Sequence, residues 1–260
     1  MTDEEVLRRQ YEDDRNLRAR QRLWDISRSE PQLDFNRWSV ELLDACEGDS
    51  VLDAGCGNGR ALALLQQRGC TAVGVDRSLG MVRTAHHRLG AVADVQRLPF
   101  PDGVFDAAAA FMMLYHVPDQ AAAAAELRRA VRPGGVVVAT TASADNQAEL
   151  RALVESAVGG GWTWMRPSAT SFNLESGPAV LGQAFESVEL VKAPERRIFI
   201  TDEDAMADYV ASSGDHFART LPSGRTWTEV VEAVRTDTAA AIEAKGALVV
   251  TARLGALVCH

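Results

Sequence analysis

A short apolar run that stops on an acid and then turns through alternate glycines constrains this chain more than any other stretch: Val51-Leu52-Asp53-Ala54-Gly55-Cys56-Gly57-Asn58-Gly59-Arg60. The turn-forming Gly48-Asp49-Ser50 precedes it, so the run reads as a buried parallel strand. Arg60–Arg68 then has the composition of a helix, with Leu62 and Leu65 facing inward. Strand, glycine turn and helix form the opening unit of a nucleotide-binding α/β sheet, in which ligands sit beyond the carboxyl ends of the strands. Glycine lets the backbone turn sharply and lets a ligand approach where a Cβ would stand. The spacing separates ligand classes. A dinucleotide fingerprint, G-x-G-x-x-G, aims a helix N-terminus at a pyrophosphate, but its third glycine position is Arg60 here. An acid at the strand tip repels a pyrophosphate and suits a ligand that bears an ammonium and a sulfonium.

The pattern repeats along the chain. Thr71–Asp76 predicts a second strand, again ending in an acid, and Ser78–Arg88 a helix with Ser78 as its N-cap. Ala91–Asp94 predicts a third strand, Val104–Phe111 a fourth, and Asp119–Val131 a helix. Arg132-Pro133-Gly134-Gly135 predicts a tight turn before a fifth strand, Val136–Thr140. Strands alternating with helices at this pitch imply an α/β fold built on a doubly wound, mostly parallel sheet. Further on, residues 145–158 predict a helix, Gly159–Phe172 shows no period, and Gly177–Phe185 predicts a short helix. Ser187–Lys192 and Arg196–Thr201 read as halves of one sixth strand, broken at Ala193-Pro194-Glu195. Helices are expected at Asp202–Ser212 and Thr226–Ala244, joined by a loop, with Ala247–Cys259 as one long closing strand. The charge-dense residues 2–30 read as an arm or helix pair ended by Pro31, and Phe35–Cys46 as a helix. The expected organisation is an N-terminal helical arm over the active site (1–34), a ligand-binding core (35–144), and a region (145–260) that completes the sheet. That last region carries cap or lid insertions at about 159–178 and 213–226.

A net charge of −9 over 260 residues argues against a nucleic-acid partner, because phosphate binding needs a basic surface. Cys46, Cys56, Cys70 and Cys259 have neither metal-knuckle nor disulfide-framework spacing, which fits reduced thiols. No signal-peptide pattern and no run near ~20 apolar residues is present, so a soluble, cytoplasmic protein without membrane contact is expected.

Over residues 48–140 the chain resembles the class I S-adenosylmethionine (SAM) methyltransferases. Asp53 with Gly55, Gly57 and Gly59 matches their first motif; Asp76 and Asp94 match the acids after the second and third strands. Phe105-Asp106 through Pro133-Gly134-Gly135 matches their fourth strand and the turn before the fifth. The phrases Leu98-Pro99-Phe100-Pro101-Asp102-Gly103 and Leu114-Tyr115-His116-Val117-Pro118-Asp119 are similar to the branch containing the ubiquinone/menaquinone methyltransferases and many small-molecule enzymes. The resemblance implies a Rossmann-like, seven-stranded sheet with an antiparallel C-terminal strand and a small helical cap. It implies SAM as cofactor, with S-adenosylhomocysteine as product. Asp76 would take the ribose hydroxyls, Asp94 and the Val95 N–H the adenine edge, and Arg77 and Met81 the adenine faces. Asp53, Gly55, Gly57 and Phe111 would surround the methionine end, with Tyr11 or Arg18 on its carboxylate.

A sulfonium is an activated donor, so such an enzyme chiefly orients the acceptor and needs a base only if the acceptor loses a proton. His116, after the fourth strand, is the leading candidate; Tyr11 and Tyr115 are lesser ones, and His216 is a weak second. His116 as a packing residue stands beside that reading, and His86 and His87 are expected to be solvated. No acid follows Phe111 before Asp119, so no metal is expected. Trp24, Met112, Tyr115, Trp162, Trp164 and Phe172, with Met113, Met165, Phe217 and Trp227, could wall a flat, apolar acceptor, or simply pack the cap. The resulting reading is methyl transfer to a partly aromatic small molecule of secondary metabolism, at C, N or O, by a monomer or homodimer. The alternatives are an NAD-dependent oxidoreductase, a non-catalytic SAM-binding partner subunit and a macromolecule methyltransferase.

Overall fold

The structure is a computed structural model that describes residues 3–85, 90–164 and 172–260; His86, His87 and Met165 lie outside the described residues. In chain order it opens with α1 (Asp3–Gln10), α2 (Arg15–Ile26), β1 (Arg28–Glu30), α3 (Phe35–Glu41), β2 (Ser50–Ala54), α4 (Arg60–Gln67) and β3 (Thr71–Asp76). Then come α5 (Leu79–Thr84), β4 (Gly90–Val92), β5 (Phe105–Phe111), a 3-10 turn (Leu114–His116), α6 (Gln120–Ala130), β6 (Val131–Ala142) and α7 (Ala148–Val158). The remaining strands are β7 (Val188–Lys192), β8 (Arg196–Ile200), β9 (Leu248–Ala252) and β10 (Leu254–Cys259). The chain divides into two compact units, residues 34–144, 166–194 and 253–260 in one, and residues 1–33, 145–165 and 195–252 in the other.

The first unit holds a seven-stranded sheet in the order β4-β3-β2-β5-β6-β10-β7. Pairing is parallel from β4 through β6, and β10 runs antiparallel to both β6 and β7. This is the mostly parallel sheet with an antiparallel C-terminal strand expected from the sequence. Central β5 (Phe-Asp-Ala-Ala-Ala-Ala-Phe) is buried on both faces. Ala108 and Ala110 join one apolar cluster with Leu127 of α6, while Ala107 and Ala109 join another with Leu62 and Leu65 of α4. Small side chains on the central strand leave room for the leucines of the helices, which gives dense packing without overcrowding. Asp119 caps α6 by accepting from the Ala122 N–H at 2.9 Å, and Ser78 caps α5 through the Met81 N–H at 3.2 Å. Residues 132–135, expected as a turn, are drawn into β6 instead, with a register shift against β5 between Phe105 and Ala107. A Cβ at Gly135 would stand 2.4 Å from the Asp106 carbonyl oxygen, so only glycine passes there.

The second unit packs α2, α7 and the helices Glu203–Ala211 and Trp227–Lys245 with an antiparallel three-stranded sheet, β1-β8-β9. Its core contains Leu23, Leu150, Val154, Ile198, Ile200, Met206, Val210, Val230, Val234 and Val250. Thr226 and Glu229 form a reciprocal capping box at the start of the last helix.

Further sequence expectations are corrected. Residues 187–192 and 196–201 are not halves of one strand: β7 edges the large sheet, whereas β8 sits between β1 and β9. Residues 247–259 are likewise two strands, parted at Arg253, with β9 in the small sheet and β10 in the large one. The loop expected over 213–225 contains a short helix, Gly214–Phe217, and a 3-10 turn, Ala218–Thr220.

Candidate active site

The carboxyl ends of β2 and β3 meet at the glycine turn. Gly55, Gly57 and Gly59 all have positive φ, at +74°, +53° and +85°, a path that L side chains rarely follow. The Gly55 and Cys56 N–H groups both donate to the Val75 carbonyl, at 2.7 and 2.9 Å, pinning the turn to the end of β3. A Cβ on Gly55 would lie 2.8 Å from Met113 Cγ, so that glycine accommodates the chain after β5.

Asp53 lies beneath this turn, 2% exposed. In register it faces Gly74 on β3 and Ala109 on β5, neither of which has a side-chain donor. Its Oδ2 is buried without a hydrogen-bond partner. Burial, with a smaller contribution from the Asp76 charge, pushes its carboxyl up to about 7. Asp76 is better supported: it accepts from the Gly57 N–H at 3.1 Å and the Ser78 N–H at 2.8 Å. Burial still raises it, against the pull of those two donors and of Arg77. A carboxylate has about four acceptor positions, and the two backbone donors leave Asp76 able to take two more hydrogens, the number that a ribose diol offers. Asp94 accepts from the Gln96 N–H at 2.9 Å and, on both oxygens, from Gln96 Nε2 at 3.0 Å. One acceptor position is left, enough for a single amine hydrogen. Left-handed glycines, an orphaned buried carboxylate oxygen and two acids with acceptor capacity to spare fit a cationic nucleoside.

At the end of β5, Met112 has a φ of +52°, unusual for a residue other than glycine, and its N–H donates to the Thr140 carbonyl at 3.0 Å. The following 3-10 turn is anchored by buried Leu114 and sets the Tyr115 and His116 rings 4.5 Å apart, both partly exposed. Phe111 packs into the cluster on one sheet face, and Met81 and Val95 are buried. Phe172, expected on an acceptor wall, is only 1% exposed; it packs in the sheet core and its carbonyl accepts from Thr141 Oγ1 at 3.3 Å.

Tyr11, Arg18, Trp24, Trp162 and Trp164 belong to the other unit. There Arg18 pairs with Asp14, Arg20 lies over the Tyr11 ring, and Trp24 meets Tyr209 edge-on at 5.1 Å. Trp162 Nε1 donates to Thr220 Oγ1 at 3.0 Å, and both Trp162 and Trp164 pack against buried Phe217.

Sequence reasoning missed Gln96, which orients Asp94 and through Oε1 accepts from the Asp119 N–H at 3.0 Å. Its place two residues after an acid, where side chains bond back to the turn, was the available signal. Thr140, which holds the Met112 N–H, had no such signal, nor did the packing of Met113, expected on the acceptor wall, against Gly55. A groove of about 610 Å³ between α6 and Gln183-Ala184 opens near Gly103 and Val131, at the amino ends of the strands and away from these acids. Among the described residues no cluster of ligating side chains suits a metal, and no helix is long and apolar enough to cross a membrane.

Residues 52–139 match the methyltransferase-domain family. A malonyl-[acyl-carrier protein] O-methyltransferase of Salmonella typhimurium is 40% identical over 116 residues, covering 43% of this chain and 46% of that protein. A demethylmenaquinone methyltransferase of Corynebacterium kroppenstedtii is 42% identical over 95 residues, covering 36% and 42%. The matches thus span less than half the length of these curated relatives. The fold similarity extends further: a putative type II methyltransferase from Anaeromyxobacter dehalogenans superposes with a TM-score of 0.60 at 26% identity, covering 87% of this chain and 94% of that one. The resemblance to class I SAM methyltransferases, carried in the sequence by Asp53, Asp76 and Asp94, holds over the matched residues.

Proposed function

We propose that the chain transfers a methyl group from SAM to a small-molecule acceptor. The observation that carries this reading is the pair Asp53 and Asp76, at the carboxyl ends of neighbouring parallel strands on either side of a turn of three left-handed glycines. Bound there, SAM supplies a methyl group on a positively charged sulfur, open to in-line displacement. Asp76, held by two backbone donors, orients the ribose; Asp94, held by Gln96, presents an acceptor to the adenine amine. Preset acceptors of this kind align the reacting centre, and such alignment supplies up to about 7–11 kcal/mol of a barrier.

The acceptor in this proposal is a mid-sized, partly aromatic metabolite, in keeping with partly exposed Met112, Met113 and Tyr115 beside His116. His116 takes the acceptor proton where the chemistry requires it. The test is titration with S-adenosylhomocysteine and with NADH, then turnover with a panel of aromatic acceptors. Binding of the first nucleoside and not the second is expected. His116→Ala is expected to lower turnover roughly a hundredfold or more while leaving S-adenosylhomocysteine affinity near wild type; equal losses in both would assign His116 to packing. Turnover of glycine as fast as of aromatic compounds would remove the proposed acceptor class.

A further inference from the structure

Asp53 is the described side chain whose chemistry is least accounted for by the protein's own contacts. Its Oδ2 is buried and unpartnered, in a residue 2% exposed. The flanking strands offer Gly74 and Ala109 at its level. From the end of β3 it faces a second carboxylate, Asp76, which Arg77 follows in the chain, and from the glycine turn the Cys56 thiol. The two carboxylates are unequal. Asp76 has two N–H donors and Arg77 to hold its charge, whereas burial and the Asp76 charge both act against ionisation of Asp53. The same negative field is felt at Cys56, where burial first, then Asp53 and Asp76, push the thiol up. When two acids share a dry site, one keeps its proton.

We propose that Asp53 carries that proton in the ligand-free protein, and that a cationic ligand seated against the glycine turn expels it. This rests on the reading above that SAM binds there. The step balances: the Asp53 O–H bond breaks, the proton passes to buffer, and the carboxylate left behind faces a ligand of net positive charge. Binding is therefore linked to proton release, and affinity for the cation rises with pH until Asp53 is already ionised. Asp53 acts as a charge-matching residue, favouring the sulfonium form of the nucleoside over its neutral thioether product.

The experiment is calorimetric titration of the full chain with SAM and with S-adenosylhomocysteine, in three buffers of different ionisation enthalpy, for wild type and Asp53→Asn. Near pH 7, wild type is expected to release roughly half a proton more per SAM bound than Asp53→Asn does, the difference falling towards zero about two pH units higher. S-adenosylhomocysteine, lacking the sulfonium charge, is expected to release less. If wild type and Asp53→Asn both bind SAM and release equal numbers of protons, the inference alone is overturned. Failure of both nucleosides to bind overturns the functional reading, and this inference with it.

A second measurement needs no ligand. Asp53 holds its proton more tightly folded than unfolded, so wild-type stability should fall as pH climbs from the ordinary carboxyl range to about 7 and level off above. Asp53→Asn should remove that slope, and an unchanged slope counts against the proposal. If Asp53→Asn does not fold, the wild-type titrations still decide, since no dependence on buffer at any pH overturns it.

Discussion

At the amino ends of its strands, the large sheet surrounds its acids with donors. Asp106 accepts from the Ser50 N–H at 2.8 Å and from Arg132 Nε at 2.7 Å, which hold its carboxyl below the usual range. Beside it, Arg129 ties Glu126 and Asp102 to the Leu98 and Phe100 carbonyls, and its guanidinium pulls Glu126 down. At the carboxyl ends, burial pushes Asp53 and Asp76 the other way, and Asp53 keeps an unpaired oxygen. One end satisfies its charges internally; the other keeps a buried carboxylate oxygen that no donor among the described residues fills. Perturbed acids with unmet demand are marks of a functional site, whereas paired ones are structure. The same residue type serves both purposes within one sheet, and only its neighbours distinguish them.

Replacements at the two ends should separate these roles. The largest effect is expected from Asp76→Ala: loss of two charge-assisted bonds should cost about 3 kcal/mol in S-adenosylhomocysteine binding, roughly a hundredfold by calorimetry. An unchanged affinity would take Asp76 out of the site. Next, Arg129→Ala should lower unfolding free energy by about 2 kcal/mol in urea melts, a figure reduced because the pairs are partly exposed, with nucleoside affinity unchanged. A large loss of affinity there would erase the distinction between the ends. The smallest effect should come from Arg132→Ala. Its pair with Asp106 is half open to water and worth under about 1 kcal/mol, measured in the same melts.

The glycine turn and the acids beside it were legible in the sequence because their signals are local: left-handed φ calls for glycine, and Asp53 and Asp76 each stand out in or at the end of a short apolar run. The alternation through β6 was legible for a related reason, since parallel strands buried on both faces appear as unbroken apolar runs. Where the chain changes sheets, the same rule hides the event. β9 and β10 are separated by Arg253 alone, and both flanks are apolar because each enters a core, so hydropathy reads as one long strand. At 193–195 the break was visible, but nothing local states that β8 pairs with Arg28–Glu30. That partner, Arg-Ser-Glu, has no apolar alternation to mark it as a strand. Of the site, the Gln96 support of Asp94 lies within two residues and was accessible to local reasoning. The contacts of Met113 with Gly55 and of Met112 with Thr140 join distant segments, which only the fold brings together.

The boundaries between the two units fall at 33/34, 144/145, 165/166, 194/195 and 252/253. Neither unit is therefore a cassette. A single cut cannot excise one, and a single fusion cannot transplant it, because each is stitched from three stretches of chain. A lineage of such proteins would diversify by point changes and loop growth within both units, rather than by shuffling one as a module, and a graft from a relative would have to carry several segments at once.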